Sequence, residues 1–216
     1  GLGLTKRTGC KCFVSNDANM AAWGVYYKEL KKKYKNIIVV TLGTGVGGGV
    51  IIDGRLVQGA TGSAGELGHM RIDFAGDAPL CACGQRGCLE AFAGTKGIRR
   101  MAQAVAEKYP QSELAHLLRS EEFSVSLISK AAAKNDEAAL NLWREIGQRL
   151  GGGIANMALL LNPDAVVLAG GVSRGAQYFL PSVKEVFARQ PIKTPFKHLK
   201  VLLSKEGNIG GIGAAL

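Results

Sequence analysis

Hydrophobic positions along the chain follow two different periods. Residues 37–42 (IIVVTL) and 165–169 (AVVLA) are short, almost unbroken apolar runs, the pattern of strands buried on both faces. Residues 48–53 and 199–204 read as further strands. Asp53-Gly54 predicts a tight hairpin turn from the first of these into 55–58. Residues 12–15 read as a short strand end. Helical spacing covers 18–33, 95–108, 111–119, 124–134, 136–161, 175–189 and 209–216, and Asn162-Pro163 stops the longest of these. From 59 to 94 periodicity vanishes and Gly, Pro and Cys dominate, so that stretch needs something other than regular structure to hold it. The expected class is α/β.

Composition narrows this picture. The length of 216 residues suits one large domain or one and a half small ones, and with 47% apolar and 20% charged residues the chain can build a sizeable core. There is no apolar run of about eighteen residues, so no helix is expected to span a membrane. The chain begins at Gly1 without an apolar leader, and the expectation is a soluble, cytoplasmic protein. The formal net charge is +10. Lys28, Lys31, Lys32, Lys33 and Lys35 supply part of it and read as a solvated face. The excess could suggest nucleic acid, but it is partly local and no aromatic residues interleave with it as in single-strand binders, so a nucleic-acid partner is not expected. The excess mildly favours an anionic ligand.

Four motifs carry chemistry. Residues 41–49 (TLGTGVGGG) lie between two strands. Glycines let backbone N–H groups approach an anion, and Thr41 and Thr44 add hydroxyls; alone, the motif is equally a ligand-free hairpin. His69 with Cys81, Cys83 and Cys88 makes a Cys₃His set, the ligand count of a closed structural zinc site, inside the aperiodic stretch. Residues 15–19 (SNDAN) sit at a junction leading into a helix. Asn16 or Asp17 there is either an N-cap or, for Asp17, a general base, since aspartate is ordinarily a carboxylate at neutral pH. Finally, 166–172 (VVLAGGV) is a buried strand ending in Gly170-Gly171, where nucleotides bind in open α/β sheets; a plain turn reads as well.

Taken together and in order, LGTGVGGG (42–49), GELGH (65–69) and CACGQRGCLE (81–90) resemble the ROK family of repressors, open reading frames and sugar kinases. The likeness runs from Asn16-Asp17 to the final 209–216 segment. It implies the actin-like ATPase fold (ribonuclease H-like, hexokinase-type), with two lobes closing on sugar and ATP and a zinc-stapled loop. By position, Asp17 would be the catalytic base. Asn16, Glu66, His69 and Glu90 would bind sugar hydroxyls. Thr41, Gly43, Thr44 and Gly45 would line the ATP phosphates, with Gly170 and Gly171 near the adenosine. His69, Cys81, Cys83 and Cys88 would hold structural Zn²⁺, and Mg²⁺ would accompany ATP.

Two features depart from the family pattern. The His69-to-Cys81 spacing is two residues longer than usual, and no Asp-x-Gly-Gly-Thr phosphate loop is found. The expected organisation is therefore a remnant of an N-terminal lobe over 1–22 and a C-terminal lobe over 23–216. The latter contains the zinc loop (about 59–94) and a last helix packing back on the N-terminal lobe. This chain by itself is expected to be inactive. The expected function of the whole protein is that of an ATP-dependent hexose kinase, with glucose the favoured substrate. The alternatives are a sugar-responsive repressor, a kinase for N-acetylmannosamine, fructose or allose, or an inactive zinc-organised sugar-binding module. A homodimer or homotetramer is implied.

Overall fold

In a computed structural model, residues 2–12 and 14–216 are described. Five strands form one mixed sheet: β1 (Ile37–Leu42), β2 (Val46–Ile52), β3 (Arg55–Leu56), β4 (Ala165–Ala169) and β5 (Lys200–Leu203), in the order β3-β2-β1-β4-β5. The first three form an antiparallel meander. The chain then crosses through helices to β4, which pairs parallel to β1 with Ile37 opposite Ala165, and on to β5, parallel to β4. This strand order and direction is the ribonuclease H-like arrangement of actin-like ATPases.

The helices are α1 (Leu2–Thr8), α2 (Asp17–Gly24), α3 (Glu90–Ala93), α4 (Thr95–Lys108), α5 (Glu113–Ser120), α6 (Val125–Ala133), α7 (Glu137–Leu161), α8 (Ala176–Arg189), α9 (Thr194–Lys197) and α10 (Ile209–Ala215). They cover both faces of the sheet, and strand alternation decides which residue meets which layer. Ile38, Val40, Leu42, Val166 and Leu168 pack with Trp143, Ile146, Leu150 and Phe179 of α7 and α8. Ile37, Val39, Ala165 and Val167 pack with Ala22, Val25 and Tyr26, and with Ile209 of α10. The run at 37–42 is continuously apolar because both layers need it.

Several boundaries differ from expectation. The helix expected over 18–33 is α only to Gly24, continues as a π-helical turn over Val25–Glu29, and stops. Lys31 and Lys32 take left-handed φ of 48° and 60°, which ends any right-handed helix. The lysines from 28 to 35 are all exposed. No strand forms at residue 12 or at 14–15; Phe13, within that expectation, lies outside the described residues. With no strand alongside, the Cys12 N–H donates instead to Thr5 Oγ1 at 3.0 Å. Two short helices, α1 and α9, and the α3 turn closing the aperiodic stretch were not expected. The expected hairpin forms at Asp53-Gly54, with φ of 49° and 74°. Asn162 caps α7 in a left-handed conformation. Residues 22 and 23 both lie in α2, and α10 packs on that helix. No helix among the described residues is long and apolar enough to cross a membrane.

Candidate active site

The C-terminal ends of β1 and β4 open onto a cavity of about 460 Å³. Asn16, Asp17, Thr41, Gly43, Thr44, Gly45, Glu66, His69, Glu90 and Gly170 all line it. Ten of the residues singled out in the sequence, scattered over 155 positions from 16 to 170, thus share one space.

At its mouth, Asn16 is the N-cap of α2: its side-chain oxygen accepts from the N–H groups of Ala18 (2.8 Å) and Asn19 (3.2 Å). This leaves the Asn16 amide NH₂ free to donate. Asp17 follows in the first helical turn and is exposed. Its Oδ1 accepts from the Ala18 N–H at 2.8 Å, and its second oxygen has no partner among the described residues. The helix N-terminus therefore holds one edge of the carboxylate and leaves the other free to take a proton.

The glycine hairpin between β1 and β2 is held from below. Val46 N–H donates to Glu90 Oε2 at 3.0 Å, and Gly43 N–H to the Gly45 carbonyl at 3.0 Å. A Cβ at Gly45 would overlap the Glu90 carboxylate and would have to displace it from its bond to Val46. Gly170 turns the chain out of β4 at φ 92°, against the Leu42 carbonyl, where a side chain would be both strained and blocked.

His69 joins two parts of the site. Its Nε2 lies 4.0 Å from Glu66 Oε2, on the cavity side, and its Nδ1 lies 3.7 Å from Cys81 Sγ. The nitrogen and the sulfurs of Cys81, Cys83 and Cys88 all fall within 4.8 Å of one another. Cys83 and Cys88 sulfurs are 3.7 Å apart, and none of these cysteines is in a disulfide. A tetrahedral zinc with bonds of about 2.3 Å places its sulfurs about 3.8 Å apart, so both the spacing and the donor set fit the ion. Burial pushes the Cys81 thiol up to about 12 and raises Cys88 also, while the Gln85 backbone N–H lowers exposed Cys83. A divalent cation at that point would supply the charge needed to hold the buried sulfurs as thiolates.

The ROK family profile matches residues 3–216. The chain belongs to the ROK family. It is 36% identical over 212 residues to a glucokinase of Halalkalibacterium halodurans, a match covering 97% of this chain and 63% of the relative, so the chain spans less than two thirds of that enzyme's length. It is also 30% identical over 193 residues to the xylose repressor of Caldicellulosiruptor bescii, covering 89% of this chain and 48% of the repressor. A Streptomyces griseus ROK glucokinase, solved in complex with glucose and AMPPNP, superposes with a TM-score of 0.84 at 36% identity, over 98% of this chain and 69% of that one. A ROK transcriptional regulator homologous to the E. coli MLC protein superposes with a TM-score of 0.87 at 30% identity, over 99% and 54%.

Within this ROK chain, Gly171 sits apart from the other expected residues. It lines a second cavity of about 450 Å³, which shares Gly43 and Thr44 with the first. Sequence reading missed three residues there. Thr95, the first residue of α4, grips the Gly43 carbonyl with both its N–H (2.9 Å) and its hydroxyl (2.8 Å). Phe123 and Arg174 line the same cavity. None belongs to a recognisable motif: Thr95 comes from the start of α4, Phe123 from the segment before α6, and Arg174 from the turn after β4.

Proposed function

We propose that the full-length natural protein is an ATP-dependent hexose kinase of glucokinase type, transferring the γ-phosphoryl group to the 6-hydroxyl of glucose. One observation carries this reading. Asp17 faces the same cavity as an intact Thr41–Gly45 hairpin and the polar groups of Asn16, Glu66, His69 and Glu90. A phosphoryl-transfer enzyme needs a positioned acceptor hydroxyl, a base beside it and donors around the phosphates, and little else from the protein.

In this reading Asn16, Glu66, His69 and Glu90 hold the sugar hydroxyls. The free oxygen of Asp17 takes the proton of the 6-hydroxyl as the sugar's 6-oxygen bonds to the γ-phosphorus, and the bond from that phosphorus to the β-γ bridging oxygen breaks to release ADP. The backbone N–H groups of Thr44 and Gly45 and the hydroxyls of Thr41 and Thr44 face the phosphates, with Gly43 lining the same wall and Mg²⁺ travelling with ATP. The adenosine lies along Gly170-Gly171, toward the second cavity. His69, Cys81, Cys83 and Cys88 would hold a structural zinc, and His69 would keep its second nitrogen to donate to the sugar. Residues 1–22 act with an N-terminal lobe and 23–216 form the C-terminal lobe, in a cytoplasmic homodimer or homotetramer.

The likeness to ROK regulators supports a second reading, a sugar-responsive repressor. A coupled assay with Mg-ATP and a panel of hexoses, run on the full-length protein, separates the two. The kinase reading expects turnover with glucose above N-acetylmannosamine, fructose and allose. No turnover with any hexose, together with sugar-dependent release from DNA, would replace it with the repressor.

A further inference from the structure

The two joined cavities are electrostatically unequal. Three carboxylates, Asp17, Glu66 and Glu90, line the first, and no Lys or Arg does. A nucleoside triphosphate carries several negative charges, and carboxylates alone would repel it. Among the residues lining both cavities, Arg174 is the one Lys or Arg, and it stands in the second. Arg99 stands over the Phe123 ring at 5.2 Å but lines neither cavity, and two further arginines are paired elsewhere. Arg100 donates to the Ala91 carbonyl at 2.9 Å, and Arg149 pairs with Asp73 at 2.9 Å. Arg174 is exposed and makes no hydrogen bond or ion pair with any described residue.

Its backbone, by contrast, is fixed. Arg174 sits in a 3₁₀ turn over Gly171–Gly175, directly after the left-handed Gly170. Ser173, buried, donates from its hydroxyl to the Gly170 carbonyl at 2.6 Å. Gly175 lies flat against the buried Trp143 ring, too close for a side chain. A rigid turn thus presents a free guanidinium at the side of a cavity that Phe123, Val125 and Val172 make apolar and Thr95, Ser126 and Ser129 make polar. The shared Gly43 and Thr44 mark the junction through which a phosphate chain would pass between the two spaces.

We infer that Arg174 is the cation that holds the phosphates of the nucleotide, and so sets nucleotide affinity and the preference for di- and triphosphates over the nucleoside. The inference rests on the kinase reading above. A guanidinium offers two parallel N–H donors to a phosphate, a geometry lysine cannot copy.

The test is calorimetric binding of ADP, AMP and adenosine to the full-length protein, as wild type, Arg174→Ala and Arg174→Lys. Loss of one charge-assisted contact is expected to weaken ADP about 10- to 100-fold in Arg174→Ala and to leave adenosine within about twofold. Arg174→Lys should recover part of the loss. Glucose affinity and the melting temperature without ligand should stay unchanged, because the side chain is exposed and unpaired. If ADP and adenosine weaken equally, the contact is with base or ribose and the inference falls. If ADP binding is unchanged while wild type still phosphorylates glucose, the inference falls and the kinase reading stands. If wild type binds no nucleotide, both fall.

Discussion

Glu90 accepts a hydrogen bond from the Val46 backbone N–H at 3.0 Å, joining the helical turn that closes the cysteine loop to the glycine hairpin. Its other oxygen, Oε1, accepts from the Cys81 thiol at 3.4 Å. One carboxylate therefore spans the candidate metal cluster and the candidate phosphate-binding loop. Glu90→Ala should leave the Val46 N–H without its partner, at a cost of about 1–3 kcal/mol. Hydrogen exchange at the Val46 amide should speed up, whereas Glu90→Gln, whose amide oxygen can still accept, should largely preserve protection.

Purified protein never exposed to chelator should contain about one zinc per chain by elemental analysis. Less than about half an equivalent would count against the Cys₃His site. Cys83→Ser should lower the melting temperature, because loop order and metal binding are coupled.

Metal affinity should also depend on pH, and the sign follows from the thiols. Cys81 and Cys88 are both raised by burial, so without metal they keep their protons at neutral pH. A metal must displace those protons. Calorimetry in buffers of different ionisation enthalpy should find about two to three protons released per zinc at pH 7.5, with affinity rising as pH rises. Release of no protons would mean that the buried sulfurs are not ligands.

Thr95 holds the hairpin from the α4 side. Thr95→Val keeps shape and the backbone N–H bond to Gly43 but removes the hydroxyl bond. We expect a loss of about 0.5–1.5 kcal/mol in stability by denaturant unfolding and a raised KM for ATP with little change for glucose. An unchanged KM for ATP would mean that the second bond to Gly43 is redundant.

Much of this architecture was legible in the sequence where one local cause dominated. The β1 and β4 runs, the Asp53-Gly54 turn and the Asn162-Pro163 stop each encode their own structure. The Cys₃His set was legible because its donor chemistry allows few other uses. What escaped was decided at a distance. The α-helix after Asp17 gives way to a π turn at Val25, and Lys31 and Lys32 are left-handed beyond it, although their composition suits a helix. Asn16 was read either as a cap or as a sugar contact, and it is the cap of α2 while also lining the cavity. Thr95 carries no local signal, since its two hydrogen bonds go to Gly43, 52 residues away, and Arg174 is singled out only by the cavity it shares with Gly43 and Thr44.

The central claim is that Asp17 is the general base. Asn16, not Asp17, is the N-cap of α2, so Asp17→Asn should leave the helix and the cavity intact. In the full-length protein, a coupled assay with saturating glucose and Mg-ATP should show kcat falling about 10²- to 10⁴-fold, with glucose affinity by calorimetry little changed. A variant that keeps more than about a tenth of wild-type kcat would contradict the account.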